Sequence, residues 1–354
     1  MKNPYIGISD YCFWSKAMTS PAPGHIDPVT KFVSINPQDK IATMGSCFAQ
    51  HLSRHISSSG FNYFVSETAP EGLSPEDSAK KNYGVFSARY GNVYTVRQAL
   101  QLFDRAFGSF KPLDAFWKKG SKFVDAFRPQ IEVDGFNSAE EVVAEAVRHL
   151  DFVKKMFLEA DWLVLTLGLT EGWRSRVDGA MYPIAPGVTA GEFDPDKYEF
   201  INFTASEVRD DLYALTEKLL AVNSKLKILL TVSPVPLIAT YEDRHVLVST
   251  TYSKSALRVA ADEAERRFRN IIYFPSYEII TSPASGGRYY KDDLREVTEL
   301  GVKHVMRIFG NKFLNNQVVT GDIKIENNLV DTSPVVCDEE TIEAALRDFQ
   351  ASIK

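Results

Sequence analysis

Four short stretches of the chain are apolar almost without interruption: KIATMGS (40–46), WLVLTLG (162–168), LKILLTVSP (226–234) and NIIYFPSYEII (270–280). Runs of this length and continuity suit strands covered on both faces, as in a parallel sheet, rather than the alternation of a sheet with one wet face. A fifth run, FNYFVSE (61–67), has the same character in weaker form. Longer segments of helical period separate them. SAEEVVAEAVRHLDFVKKMFLEA (138–160) opens with Ser138 and Glu141 at capping-box spacing, and TASEVRDDLYALTEKLLAVN (204–223) opens with Thr204 and Glu207 in the same relation. Further helices are predicted over 252–268, over 298–309 and near TVRQALQLFDRAF (95–107). Strand–helix alternation of this kind predicts an α/β fold, a three-layer sandwich with a central, mostly parallel sheet and right-handed crossovers.

Two stretches interrupt the pattern. Residues 68–135 mix Pro, Gly, aromatic and charged positions with little periodicity and read as an irregular insertion in a main domain spanning 1–310. Residues 311–354 read as a C-terminal appendage closed by a short helix, DEETIEAALRDFQ (338–350).

Composition narrows the function. Hydrophobic residues make up 44% and charged residues 24% of the 354, enough for a large core. A formal charge of −6 and the lack of any basic block argue against nucleic acid as the partner, since phosphate binding needs concentrated Lys and Arg. No run approaches the roughly 20 apolar residues of a membrane span, and MKNPYIGISDYCFWSK lacks the unbroken apolar stretch of a signal peptide. Three scattered cysteines, Cys12, Cys47 and Cys337, give neither a disulfide framework nor paired metal-ligand spacing. A cytoplasmic protein is expected, with no cofactor and no metal.

Candidate chemistry gathers where strands end, because open α/β sheets collect functional groups at the carboxyl edge. There the sequence places Gly45-Ser46-Cys47, Gly168-Leu169-Thr170-Glu171, Ser233-Pro234-Val235-Pro236 and Pro275-Ser276-Tyr277-Glu278. Ser46 falls where a strand gives way to a helix. Two roles compete for it: a helix N-cap, or a nucleophile beside free backbone N–H groups able to hold an oxyanion. Cys47 is expected to pack as a small hydrophobe. Of the six histidines, His51 and His55 lie one helical turn apart without an evident third metal ligand. His304 points away from the apolar face formed by Val302, Val305, Met306 and Phe309 and is expected in solvent. His25 and His149 offer nothing specific.

The stretch GSCFA (45–49), with YGNVYTVRQALQL (90–102), LTLGLTEGWR (165–174), SPVPLIAT (233–240) and HVLVSTTYSKSALR (245–258), resembles the GSCFA family, a bacterial branch similar to the SGNH (GDSL-like) hydrolases. The resemblance implies an SGNH-hydrolase-like, flavodoxin-like topology with Ser46 as nucleophile. It implies an oxyanion hole at Gly91, with Asn92 beside it. Thr170 stands where those enzymes carry an Asn. Their late Asp-x-x-His, which supplies the general base, is missing from YYKDDLREVTELGVKH (289–304). The candidate bases are therefore His245, heading a polar segment near the sheet's carboxyl edge, and the carboxylates of Asp293 and Glu296, which would need burial to act. Glu171, Trp173 and Arg174 are read as an exposed loop just past a strand end, with Trp173 a sugar-stacking surface and Arg174 or Arg89 a charge for an anionic group; Tyr252, Ser253 and Lys254 are candidates to line the same cleft. The implied activity is a serine-dependent esterase or acyltransferase working on an O-acyl group, acetyl above all, of a carbohydrate or polysaccharide precursor. Its partners would be a small-molecule or carbohydrate substrate and an acyl donor such as acetyl-CoA. The alternative is a catalytically degenerate SGNH-like protein that binds a ligand without turnover.

Overall fold

A computed structural model describes residues 3–22, 24–314 and 335–352. Four of the apolar runs become the parallel strands of one sheet: β1 (Ile41–Gly45), β4 (Trp162–Leu167), β8 (Lys227–Val232) and β9 (Ile271–Tyr273), hydrogen-bonded in that order. The fifth run contributes a single parallel bridge, Tyr63 to Ile41, on the outer edge of β1. Counting that bridge as a vestigial strand gives the order 2-1-3-4-5, the flavodoxin-like arrangement, whose functional crevice lies where the order reverses, beside β1.

Alternate residues of each strand feed two separate cores, the mark of a sheet covered on both sides. Ala42, Met44, Leu163, Leu165, Ile228 and Leu230 pack with α3 (Val96–Ala106), α4 (Ala139–Glu159), α5 (Ala205–Val222) and α6 (Val246–Arg267). Ile41, Trp162, Val164 and Leu229 face the other way, onto α1 (Ala49–Ser58), α7 (Ser276–Thr281) and α8 (Glu299–Phe313). The three layers expected from the sequence are present. Helix starts also follow it. Thr204 and Glu207 form a complete capping box on α5. At α4, Ser138 caps Glu141 N, but the Glu141 carboxylate reaches one residue further back, to Asn137 N, at 2.9 Å.

Three expectations change. The run 270–280 is a strand only as far as Tyr273; Pro275 interrupts it, and Ser276 starts α7 with its hydroxyl bonded to Val232 O at 3.0 Å. The stretch after β4 is not a loop. Residues 171–175 form β5 (Glu171–Ser175), flanked antiparallel by β6 (Met181–Tyr182) and β7 (Tyr198–Asn202). This small sheet shares an aromatic core with the hairpin β2 (Phe116–Lys119) and β3 (Lys122–Asp125), including Trp117, Tyr182 and Tyr198. The insertion, which also carries α2 (Pro75–Lys80), thus helps build a lobe at the carboxyl edge of the main sheet. His304, finally, is buried: residues of the N-terminal segment cross over α8, so its Nε2 meets Ile26 O at 3.0 Å and its Nδ1 meets Tyr289 Oη at 2.6 Å. Helical periodicity reports the main core but not a second segment laid across the outer face. The region read as an appendage continues α8 to Phe313, residues 315–334 lie outside the described residues, and 340–352 form α9 (Glu340–Ser352).

The tightest point is where β1 ends against β4. Gly45 adopts φ +144°, a backbone setting that side chains rarely tolerate, and a Cβ there would lie 2.2 Å from Thr166 O. Gly45→Ala should therefore destabilise the protein by about 3 kcal/mol or more, read as a lowered urea midpoint; an unchanged midpoint would show that the two strands can part cheaply.

Candidate active site

At the end of β1 the chain turns through Ser46, Cys47 and Phe48 into α1. Phe48, not Ser46, occupies the cap position, and no side chain caps this helix. Ser46 contributes its carbonyl to the turn, accepting from Ala49 N at 2.9 Å. Its hydroxyl is buried and has no hydrogen-bond partner among the described residues. The capping role is thereby removed, and an orphaned hydroxyl is left at a strand–helix junction, a costly arrangement for a merely structural serine.

Gly168, just past β4, is packed against that serine: a Cβ built on it would lie 3.2 Å from Ser46 Cβ and 2.8 Å from Tyr94 O. Tyr94 O accepts both Gly168 N (3.2 Å) and Leu169 N (3.0 Å). The Gly168 carbonyl accepts Lys254 Nζ at 2.7 Å. Lys254 comes from α6 and is fully enclosed; burial lowers its amine to about 8, opposed by the nearby Glu339 carboxylate and Cys47. A hydroxyl and an amine poised between charge states thus flank one glycine.

Residues 336–339 cover this crevice from above. The Gln50 carboxamide clamps both backbone groups of Val336, donating to its carbonyl at 2.7 Å and accepting from its N–H at 2.9 Å. Asn92 Nδ2 donates to Val336 O and to the Asp338 carboxylate, both at 3.0 Å. Asp338 N donates to Tyr94 Oη at 3.0 Å. Arg295 holds the Glu339 carboxylate at 2.8 Å. Burial raises the carboxyls of Asp338 and Glu339 above the ordinary range. The neighbouring Cys337 and burial push the Cys47 thiol well up, while Cys47 draws Cys337 down.

Beside the covered crevice opens a cleft of about 770 Å³ that shares Lys254 and Arg295 with it. Tyr277, Tyr290, Thr250 and Thr251 line it, and Asp293 and Glu296 stand on its rim. Both carboxylates are exposed, so neither has the burial a directly acting carboxylate base requires. Asp293 closes a turn by accepting Arg295 N and Glu296 N at 3.0 and 3.1 Å, and Glu296 pairs with Lys291. His245 is the exposed N-cap of α6, its Nδ1 accepting Leu247 N at 3.1 Å.

The candidates after β4 belong to the antiparallel lobe. Thr170 donates its hydroxyl to Asn202 Oδ1 at 2.7 Å and its N–H to Ser253 Oγ. Glu171 accepts from Thr240 at 2.8 Å and is raised by desolvation. Trp173 stands edge-on to Phe193, Phe200 and Tyr241. Arg174 is paired with Glu199. Arg89 is wholly buried, spent on Glu132, Glu145 and two carbonyls, and is no free anion site. Gly91, at φ +72°, lines a small void with Asn92, Val336 and Asp338, at the edge of the covered crevice. Among the described residues, no group of three or more His, Cys, Asp or Glu is placed to hold a metal, and His51 and His55 line a separate groove with Val302 and Met306.

Sequence reading placed Lys254 only as a cleft-lining candidate, not as a base, and it missed Gln50, Tyr94, Arg295 and the covering segment. A signal for Lys254 existed: it precedes Leu257 by three and Ala261 by seven, on the buried face of α6.

These features define a class: an α/β three-layer protein with a serine–lysine crevice at the carboxyl edge of its parallel sheet. The model of the GSCFA family matches residues 40–309, and the chain belongs to the GSCFA family. No curated protein matches it.

Under the antiparallel lobe, His149 Nδ1 meets Glu67 Oε2 at 2.7 Å, and the same oxygen accepts Arg89 N. Desolvation lowers His149 to about 4, and its His partner helps hold Glu67 below the usual carboxylate range. A histidine depressed in the folded state binds its proton only on unfolding between about 6.5 and 4, so its contribution is complete above 6.5 and is lost as pH falls. On the order of 3 kcal/mol of stability should vanish across that interval. Urea unfolding at stepped pH should show His149→Gln with a shallower acid slope than the wild type; equal slopes would place the titration elsewhere.

Proposed function

We propose that the protein is a serine-dependent esterase or acyltransferase in which Ser46 is the nucleophile and Lys254 the general base. The observation that carries this reading is the buried, unpartnered Ser46 hydroxyl packed against Gly168, whose carbonyl holds Lys254. Serine–lysine pairs are an established variant of triad chemistry and need no histidine. Neutral Lys254 accepts the hydroxyl proton as Ser46 Oγ attacks the acyl carbonyl. In this reading the N-terminal end of α1, which begins just after Ser46, favours the developing oxyanion. The alcohol departs with the proton returned by Lys254, leaving an acyl-serine. Water or a second hydroxyl then takes the acyl group, which is the whole difference between hydrolysis and transfer. The adjoining cleft, with two tyrosines and two threonines, suits a hydroxyl-rich acceptor such as a carbohydrate. An acetyl group fits the closeness of the crevice, and acetyl-CoA is the donor expected for transfer.

One observation favours a second reading, a binding protein without turnover: Ser46 is only 4% exposed beneath residues 336–339. Hydrolysis of p-nitrophenyl acetate separates the two. The wild type should show a rate rising with pH through about 8, as Lys254 loses its proton. Ser46→Ala and Lys254→Met should each lose at least about 100-fold. Equal rates for wild type and Ser46→Ala would remove the serine from the chemistry and leave the binding protein.

A further inference from the structure

We propose that Cys47 and Cys337 form a reversible disulfide that fastens the 335–339 segment over the crevice, making the pair a thiol switch on access to Ser46. Only the effect on access rests on the esterase reading; the disulfide itself does not.

Three observations single out this pair, the backbone clamp beside it above all. Both are free and buried, and each thiol acts on the other, Cys337 raising Cys47 and Cys47 lowering Cys337. Their chain neighbours are locked in register: Gln50, three residues after Cys47, clamps the N–H and the carbonyl of Val336, the residue before Cys337. Arg295 Nη2 lies 4.0 Å from Cys337 Sγ while bound to Glu339, so a cation is held beside the sulfur that must ionise. Cys337 arrives on a segment held by polar contacts and by Val336 packed against the main core. Cys12, by contrast, is exposed.

The chemistry balances with a low-molecular-weight disulfide as oxidant, oxidised glutathione being the probe. When the segment lifts, the Cys337 thiolate attacks one glutathione sulfur; the glutathione S–S bond breaks and one glutathione leaves as thiolate, taking up a proton. Redocking sets the mixed disulfide beside Cys47. The Cys47 thiolate, its proton passed to solvent, attacks the Cys337 sulfur and expels the second glutathione. Two protein thiols are oxidised to one disulfide, and one glutathione disulfide is reduced to two thiols.

The full chain is incubated with excess oxidised glutathione, with a dithiothreitol-treated sample alongside, and each is read three ways. Peptide mapping without reduction should yield a Cys47–Cys337 linked peptide in the oxidised sample, with Cys12 carrying glutathione alone. Hydrogen exchange over the first turn of α1 should slow at least tenfold on oxidation. Hydrolysis of p-nitrophenyl acetate should fall at least tenfold and return with dithiothreitol. Cys337→Ser should lose the oxidative response in all three, and Cys12→Ser should keep it. Absence of the linked peptide overturns the proposal, as does a linked peptide with unchanged exchange or with unchanged hydrolysis in an active protein. A linked peptide and slowed exchange in a protein that hydrolyses nothing in either state uphold the fastening and reject the esterase reading alone.

Discussion

β1 and β4 run side by side to their carboxyl ends with no room for a side chain at either Gly45 or Gly168. That close approach governs the rest of the site. It lets β1 turn into α1 directly after Gly45, so the next side chain, Ser46, comes to rest against Gly168 rather than in the helix cap. It leaves the Gly168 carbonyl turned toward α6, where Lys254 reaches it. A methyl group at Gly45 would collide with Thr166 of β4, and one at Gly168 with Tyr94 and Ser46. Close backbone packing, with the bonds of Gly168 to Tyr94 and Lys254, brings these groups together, and the Ser46 hydroxyl is left unsatisfied.

An unsatisfied hydroxyl and a buried amine are expensive, and the covering segment offsets part of that cost. It carries Asp338 and Glu339 to a crevice already holding Lys254 and Arg295. Glu339 is thereby met by Arg295 and lies near Lys254, while Asp338 is held by the Asn92 amide and Tyr94, in surroundings where isolated charges would be severely penalised. Desolvation also moves the amine down and the carboxyls up, toward their neutral forms. Polar contacts, together with Val336 packed against the main core, hold the segment in place.

Much of the architecture was legible because continuous apolar runs and 3.6-residue periods are properties of single elements. β1, β4 and β8 appear within a residue or two of their runs, and Thr204 and Glu207 cap α5 as their spacing predicts. The antiparallel lobe was not legible, because β5 carries Glu171, Gly172 and Arg174, and its neighbours β6 and β7 share their core with the hairpin in the insertion. His304 was misplaced for a related reason: residues near Ile26 bury a helix face that periodicity marks as outer. At the site, Ser46 and Asn92 could be named from local motifs. Lys254 was seen at the cleft but not its bond to the Gly168 carbonyl, which only tertiary folding brings to it. Arg295 and residues 336–339 meet the crevice only through tertiary folding, and no local pattern carries that information.

The Gln50–Val336 clamp joins residues 286 apart, whereas every strand of the main sheet is complete by residue 273. On the ribosome the sheet and its flanking helices can therefore emerge before the piece that seals them. The loop entropy of such a distant closure is met only once both partners are structured. The newborn chain can thus hold Ser46 and Lys254 on a formed sheet before residues 336–339 reach them, so that docking of this segment follows the collapse of the core.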